Sequence, residues 1–236
     1  MQIKLFPASG RGHADHGWLN AYHSFSFAGW YDPDLVHFGL LRVLNDDTIA
    51  GGMGFGKHPH DNMEIVTIPL EGALQHSDST GRTEVIRKGE VQIMSAGSGI
   101  FHSEVNASKS DPVKLFQIWV FPKLRNIAPR YDQKVFDEAS RENRLCTVVS
   151  PDGNEGSLQI NQDAWFSLGR FSGAQKIEYT IHRKGNGVFL MIVDGNASVE
   201  GNGLAKRDAI GLWETEKFTV DVKAGCEVLL IEIPMN

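Results

Sequence analysis

Residues 64–105, EIVTIPLEGALQHSDSTGRTEVIRKGEVQIMSAGSGIFHSEV, break into short apolar runs punctuated by Gly, Asp and Ser. The β-branched content of EIVTIPL and EVQIM, with turn residues between them, specifies short strands joined by tight turns. The same grammar extends both ways, through LLRVL (40–44), KLFQIWVF (114–121), GVFLMIV (187–193), DAIGLW (208–213), KFTVDV (217–222) and EVLLIEI (227–233). Turn signals about every ten residues are the pattern of an antiparallel sandwich or barrel. Only Gln133–Ser140 and Asp61–Ile65 read as short helical patches, and neither sustains a helical period.

A weak internal repeat follows. When Gly72 is laid on Gly195, the stretch above resembles GVFLMIVDGNASVEGNGLAKRDAIGLWETEKFTVDV (187–222), and each copy continues into a long apolar strand. Two copies of one β unit fit the chain length better than one large barrel. The charged, proline-bearing stretch from Pro122 to Ser150 is the expected junction, giving a first unit at 1–130 and a second at 131–236.

Composition narrows the function. The 236 residues are 41% hydrophobic and 22% charged, which describes a globular chain able to bury a core, and 25 glycines favour turns over long helices. A net charge of −6 argues against a phosphate-binding face, so no direct nucleic-acid partner is expected. Cys146 and Cys226 are too few for a disulfide framework and read as small buried thiols. No run approaches the length of a membrane span and the N-terminus lacks an apolar signal region, so the expected location is cytoplasmic, away from any membrane.

Chemistry concentrates in two short stretches. In HPH, His58 and His60 are two residues apart on a strand, so both imidazoles share a face about 7 Å apart while Pro59 points away. In FHSE, His102 and Glu104 repeat that spacing. If the two strands are neighbours, three imidazoles and one carboxylate converge. Such a donor set suits a first-row divalent metal, and four protein ligands in an octahedral shell leave two positions for substrate or dioxygen. For His58 and His60 alone, hydrogen-bonded histidines at a barrel mouth are an equal reading. Glu64 shares their parity if no bulge intervenes, and is expected to accept hydrogen bonds beside the site. His76 and Asp78 are expected to bond each other at a hairpin end. His13, His16, His23 and His37 are read as structural, and Trp18, Phe25, Phe27, Trp30 and Tyr31 as packing over a barrel opening. Under the repeat alignment, the four donor positions fall on Ile181, Arg183, Thr219 and Asp221, so the second copy has lost them.

HPHDNMEIVTIPLEG, MSAGSGIFHSE and RGHADHGWLNAYHSFSFAGWYDP resemble the pirin family of the bicupin superfamily, in particular its bacterial quercetinase-like members. The resemblance runs from about Arg11 to the end of the chain. It departs from the general cupin pattern at Gly72, one position late, at Ser95, where proline is usual, and at Glu104, two residues after His102. It implies an all-β fold of two cupin-type double-stranded β-helix barrels, a metal-binding cupin at 1–130 and a metal-free one at 131–236. The implied ligands are His58, His60, His102 and Glu104, with Glu64 outside them. The implied ion is iron, with copper, nickel, manganese, cobalt and zinc compatible with the same donors. The implied activity is quercetin 2,3-dioxygenase: a flavonol or similar enolic aromatic is opened with dioxygen, carbon monoxide leaves, and Glu104 serves as the base. The alternative within the family is a metal- or redox-sensing regulator that binds a protein partner. An enzyme needs an apolar pocket leading to the metal, for which Met53, Phe55, Phe101 and the aromatic N-terminal segment are candidates.

Overall fold

The computed structural model describes residues 1–236. Its first twelve strands are β1 (Gln2–Phe6), β2 (Gly12–Asp15), β3 (Leu19–His23), β4 (Leu41–Ile49), β5 (Gly54–His60), β6 (Glu64–Glu71), β7 (Ala73–Asp78), β8 (Thr83–Arg87), β9 (Glu90–Ser95), β10 (Ile100–Asn106), β11 (Val113–Val120) and β12 (Arg130–Val135). The remaining ten are β13 (Leu145–Ser150), β14 (Leu158–Gln159), β15 (Trp165–Phe171), β16 (Gln175–Thr180), β17 (Asn186–Asp194), β18 (Asn196–Val199), β19 (Asn202–Ala205), β20 (Ala209–Trp213), β21 (Lys217–Val222) and β22 (Cys226–Pro234). They form two pairs of sheets. The first half has a seven-stranded sheet, β12-β9-β6-β11-β4-β3-β2, facing a four-stranded sheet, β5-β10-β7-β8. The second half repeats the plan with β1-β20-β17-β22-β15-β13-β14 and β16-β21-β18-β19. No helix is long and apolar enough to cross a membrane.

The expected helical patches are mostly strand and loop. Gln133–Val135 completes β12 against β9, and only one turn, α1 (Glu138–Arg141), is helical, with the Asp137 side chain accepting from the Ser140 N–H. Asp61–Met63 is a loop through a left-handed Asn62, after which β6 begins. The free edge of β9, which pairs from Arg130↔Ser95 to Val135↔Glu90, decides for strand there.

A cut at residue 130 severs neither half cleanly, because strands cross the junction. β1 pairs with β20 in the second half, from Gln2↔Trp213 to Phe6↔Ala209, while β12 pairs with β9 in the first. The large sheets pack against each other through 27 buried residues, among them Phe6, Phe116, Phe166, Phe189 and Leu229. Burying one such side chain contributes roughly 1.5–3 kcal/mol. Asp46 on β4 adds a polar tie, accepting from Arg11 at 3.2 Å and from Arg207 at 2.6 Å.

The interiors of the two barrels differ. The second is filled by 16 buried apolar residues, the first by clusters of only seven and four. Strand register shows why. One row of inward positions crosses five strands of the first large sheet as Gln92, Thr67, Gln117, Asn45 and His23, all buried. Counting from Gly72 and Gly195, which both turn with φ of 76°, the matching row in the second sheet is Ile210, Leu190, Leu230, Ser167 and Thr147. The same β scaffold carries polar groups in one copy and mostly hydrocarbon in the other.

Candidate metal centre

β5 and β10 are neighbours, and their register sets His58 opposite His102 and His60 opposite Ile100. An extra residue in β5 then shifts the pairing, so Glu104 faces Phe55 while Ser103 spans Gly56 and Lys57. The bulge turns the start of β5 without disturbing the histidine rows. Gly54 lies so close to β10 that a Cβ there would overlap the Glu104 carbonyl. Along β10, Ile100, His102, Glu104 and Asn106 are buried and the residues between them are not, so His102 and Glu104 enter the barrel on one face.

The three histidines converge. His58, His60 and His102 place ring nitrogens within 4.8 Å of one another, with centroids 4.4–4.9 Å apart. Glu104 joins through His102: it belongs to a second group, His76, His102 and Glu104, whose ligand atoms also lie within 4.8 Å of one another.

Hydrogen bonds dictate which nitrogens keep lone pairs. His58 Nδ1 lies 2.7 Å from the Gly56 carbonyl, which only accepts, so Nδ1 carries the proton and Nε2 is free. The Asp78 carboxylate lies 3.2 Å from His76 Nε2 and takes a proton donor there, leaving the His76 Nδ1 lone pair to accept from His102 Nδ1–H at 3.4 Å. His102 therefore also presents a bare Nε2. Burial alone would raise Asp78, but hydrogen bonds from Thr80 and His76 outweigh it and hold its carboxyl below the usual range. Burial, with its like-charged neighbours, lowers His60 to about 4 and His102 to about 2, so both rings are neutral at physiological pH.

Glu104 is oriented by a similar chain. The Trp119 indole N–H donates to Gln117 Oε1 at 3.2 Å, which turns the amide so that Gln117 Nε2 donates to Glu104 Oε2 at 2.6 Å. Burial raises the Glu104 carboxyl, and the bond from Gln117 opposes that only in part.

These residues fit a metal. Buried polar atoms are almost always paired, yet His60 Nε2 and His102 Nε2 have no hydrogen-bond partner and belong to the cluster that His58 completes. Neutral imidazoles beside one buried carboxylate are the donor set of a first-row divalent ion.

The site opens into a cavity of about 420 Å³ between the two sheets of the first barrel, within the usual range for small-molecule sites. Trp18, Phe27, Phe55 and Trp119 supply aromatic walls; His23, Asn45 and Asp47 supply a polar one. Several sequence-based expectations change here. His23 is not merely structural: it lines the cavity and bonds Asn45 at 2.9 Å. Trp18 and Phe27 line it as well, whereas Phe25 belongs to the core between the barrels and Tyr31 is exposed. Met53 and Phe101 are exposed and do not line the cavity: Met53 lies in the turn before β5, and Phe101 takes an outward position on β10. Glu64, buried at the start of β6, makes its hydrogen bonds to Ser95 and the Asn161 amide rather than to the histidines, since the Asn62 turn moves it to the other sheet. His76 and Asp78 do bond each other, and the bond reaches His102 as well.

Asp47, Asn45 and Gln117 were missed by motif reasoning. The signal was their inward parity in otherwise apolar strands, next to Val43, Ile49 and Leu115, all buried. Burial, and then the nearby Asp46 and Glu104, push the Asp47 carboxyl up to about 8. The repeat alignment also needs correcting by strand register. His102 and Glu104 correspond to Phe218 and Val220, and His58 and His60 to Tyr179 and Ile181. Arg183 and Asp221, suggested by the alignment on Gly72 and Gly195, instead pair with Asp163 and Lys176 at the surface.

Comparison with known proteins identifies the family. Residues 6–120 match the Pirin family model and residues 147–233 the model of the quercetinase C-terminal cupin domain. The chain is 42% identical over 234 residues to the Escherichia coli protein named quercetin 2,3-dioxygenase, covering 98% of this chain and 99% of that one. It is 37% identical to a Caulobacter vibrioides pirin-like protein, over 96% of this chain and 97% of that one. The crystal structure of the Escherichia coli bacterial pirin YhhW in complex with nickel(II) superposes with a TM-score of 0.93 at 40% identity, covering 99% of each chain. Two cupin barrels, matched end to end by relatives of this kind, place the chain in the pirin family.

Proposed function

We propose that the first barrel holds one divalent transition metal on His58, His60, His102 and Glu104, and that the protein is a dioxygenase of the quercetin 2,3-dioxygenase type. Its substrate class is a flavonol or similar enolic aromatic, opened with dioxygen and with release of carbon monoxide. The observation that carries this reading is the pair of buried, unpartnered imidazole nitrogens beside an aromatic cavity. The name of the Escherichia coli relative supports the substrate class, and the nickel(II) complex supports a divalent ion. Iron is the ion that the family resemblance implies, and the donor set also admits copper, nickel, manganese, cobalt and zinc.

A bound metal supplies Lewis acidity toward the substrate oxygen and redox chemistry toward dioxygen. The chain supplies the rest. Trp18, Phe27 and Phe55 stack against the aromatic substrate and exclude water from its rings. Gln117 fixes one oxygen of Glu104, leaving the carboxylate placed to accept the proton of the substrate's enolic hydroxyl. The histidine tautomers set by Gly56 and by the Asp78–His76 pair keep the donor lone pairs aimed inward. The second barrel, whose matching positions are hydrocarbon or phenol, is read as a metal-free scaffold that buttresses the first through the shared core.

The test is anaerobic purification with metal analysis, followed by oxygen uptake and carbon monoxide detection with quercetin. Metal-dependent oxygen consumption with carbon monoxide release is expected. A metal-loaded protein that consumes no oxygen with any enolic aromatic would instead favour a regulator that binds a protein partner.

A further inference from the structure

Asp47 is 3% exposed, and its Oδ1 is buried without any hydrogen-bond partner. It enters the cavity from β4 on the large sheet, across from the histidines on the small one. Its neighbour Asp46 points the opposite way and is fully engaged by Arg11 and Arg207, so the unpartnered state belongs to position 47 and not to the strand. A buried carboxyl with an open oxygen costs stability that a hydrocarbon at the same place would not. In the second barrel the matching residue is Gly169, whose neighbours Leu145 and Phe171 fill the space. The first barrel thus keeps, at some expense, an unpartnered carboxyl on the cavity wall where the second barrel has no side chain.

We propose that Asp47 is a specificity-determining residue that hydrogen-bonds a phenolic hydroxyl on the part of the aromatic substrate remote from the metal. The inference rests on the reading of this cavity as an aromatic-substrate site and names what that site selects: polyhydroxylated over unsubstituted ring systems. The surroundings support it. Trp18, Phe27 and Phe55 provide a slot for flat rings, and no cationic side chain lines the cavity to select a carboxylate or phosphate instead. Because burial keeps the carboxyl protonated near neutral pH, it can donate to and accept from a hydroxyl at once.

The test uses nickel-loaded protein without oxygen, with quenching of tryptophan fluorescence as the readout, since Trp18 and Trp119 line the cavity. Quercetin and 3-hydroxyflavone, which keeps the enolic hydroxyl but lacks the others, are titrated into wild type, Asp47→Asn and Asp47→Leu. Wild type is expected to bind quercetin at least about 10-fold more tightly than 3-hydroxyflavone. Asp47→Leu should weaken quercetin about 10- to 100-fold, the effect of one hydrogen bond to a buried acid. Asp47→Asn, which still donates and accepts, should fall between. All three proteins should bind 3-hydroxyflavone within about twofold of one another. Equal losses for both flavonols, or no loss for either, would overturn the role of Asp47. Failure of wild type to bind either flavonol would instead remove the proposed function. The near-isosteric Asn variant, with nickel content and melting temperature matched to wild type, keeps the comparison free of folding effects.

Discussion

Glu104 and His76 illustrate how much of this site is decided by single hydrogen bonds. Glu104 has one oxygen fixed by Gln117 and is raised by burial, so its carboxylate is a better proton acceptor than a surface glutamate. Replacing Glu104 by Gln should lower kcat by about 10²- to 10⁴-fold while the three histidines still retain metal. Metal content and turnover measured on the same sample separate the two roles, and full turnover with bound metal would remove the base assignment. His76 acts at one remove: it accepts from His102 Nδ1 and passes the constraint to Asp78. His76→Phe should therefore weaken metal affinity about 10- to 100-fold, read by competition with a chelator, with Asp78→Asn showing the same direction. The residue-level legibility of the sequence was uneven for a physical reason. Spacing pairs His58 with His60 and His102 with Glu104, and the family resemblance is what joins the two pairs into one ligand set. Asp47 shows locally only an inward parity in an apolar strand, and its place on a cavity shared with His23 emerges when β3 pairs with β4.

At the level of elements, the site depends on how closely β5 lies against β10. Gly54 has no room for a side chain because the β10 backbone at Glu104 and Val105 occupies it. Gly54→Val should push the strands apart, costing about 1–3 kcal/mol of stability and loosening metal binding in the same variant. Denaturant unfolding and metal titration check both, and intact metal affinity in a destabilised protein would show that the strand contact does not hold the site. Each apolar run singled out from its residues falls on a strand. The patches at Gln133–Ser140 and Asp61–Ile65 were harder to read: the helical expectation holds only for the turn at Glu138–Arg141, while Gln133–Val135 is strand and Asp61–Met63 loop, because four to eight residues hold too few periods to separate helix from strand. The misplaced repeat alignment has the same root. His102 matches Phe218 and not Thr219 once strand pairing counts the residues, and a one-residue slip exchanges the two faces of a strand.

On the scale of the molecule, stability and acid sensitivity come from different places. Phe6 packs edge-on against Phe25, Phe38 and Phe189 in the core shared by both barrels. Phe6→Ala should cost about 3–5 kcal/mol, read from denaturant midpoints, and should destabilise both barrels together in one transition. Acid sensitivity arises in the first barrel. His60 and His102 have folded-state pKa values of about 4 and about 2, below the ordinary 6.5, so the unfolded chain binds protons first. The contribution of these two imidazoles to the stability of the metal-free protein should be complete above about pH 6.5 and shrink as pH falls toward about 4, with His102 extending the loss, while Asp47, raised to about 8, acts in the opposite sense as pH rises. Melting temperature against pH measures this, and His60→Gln should flatten the slope; an unchanged slope would place the acid sensitivity elsewhere.

The crossing of β1 into the second large sheet also orders events in time. Gln2 pairs with Trp213, so the edge that Gln2–Phe6 closes is synthesised some two hundred residues after the strand that fits it. At the usual elongation rates the ribosome needs about 10 to 40 s to bridge that interval. During it, the strand Gln2–Phe6 must stay unattached and avoid other exposed edges, so this pairing is among the last that the growing chain can close.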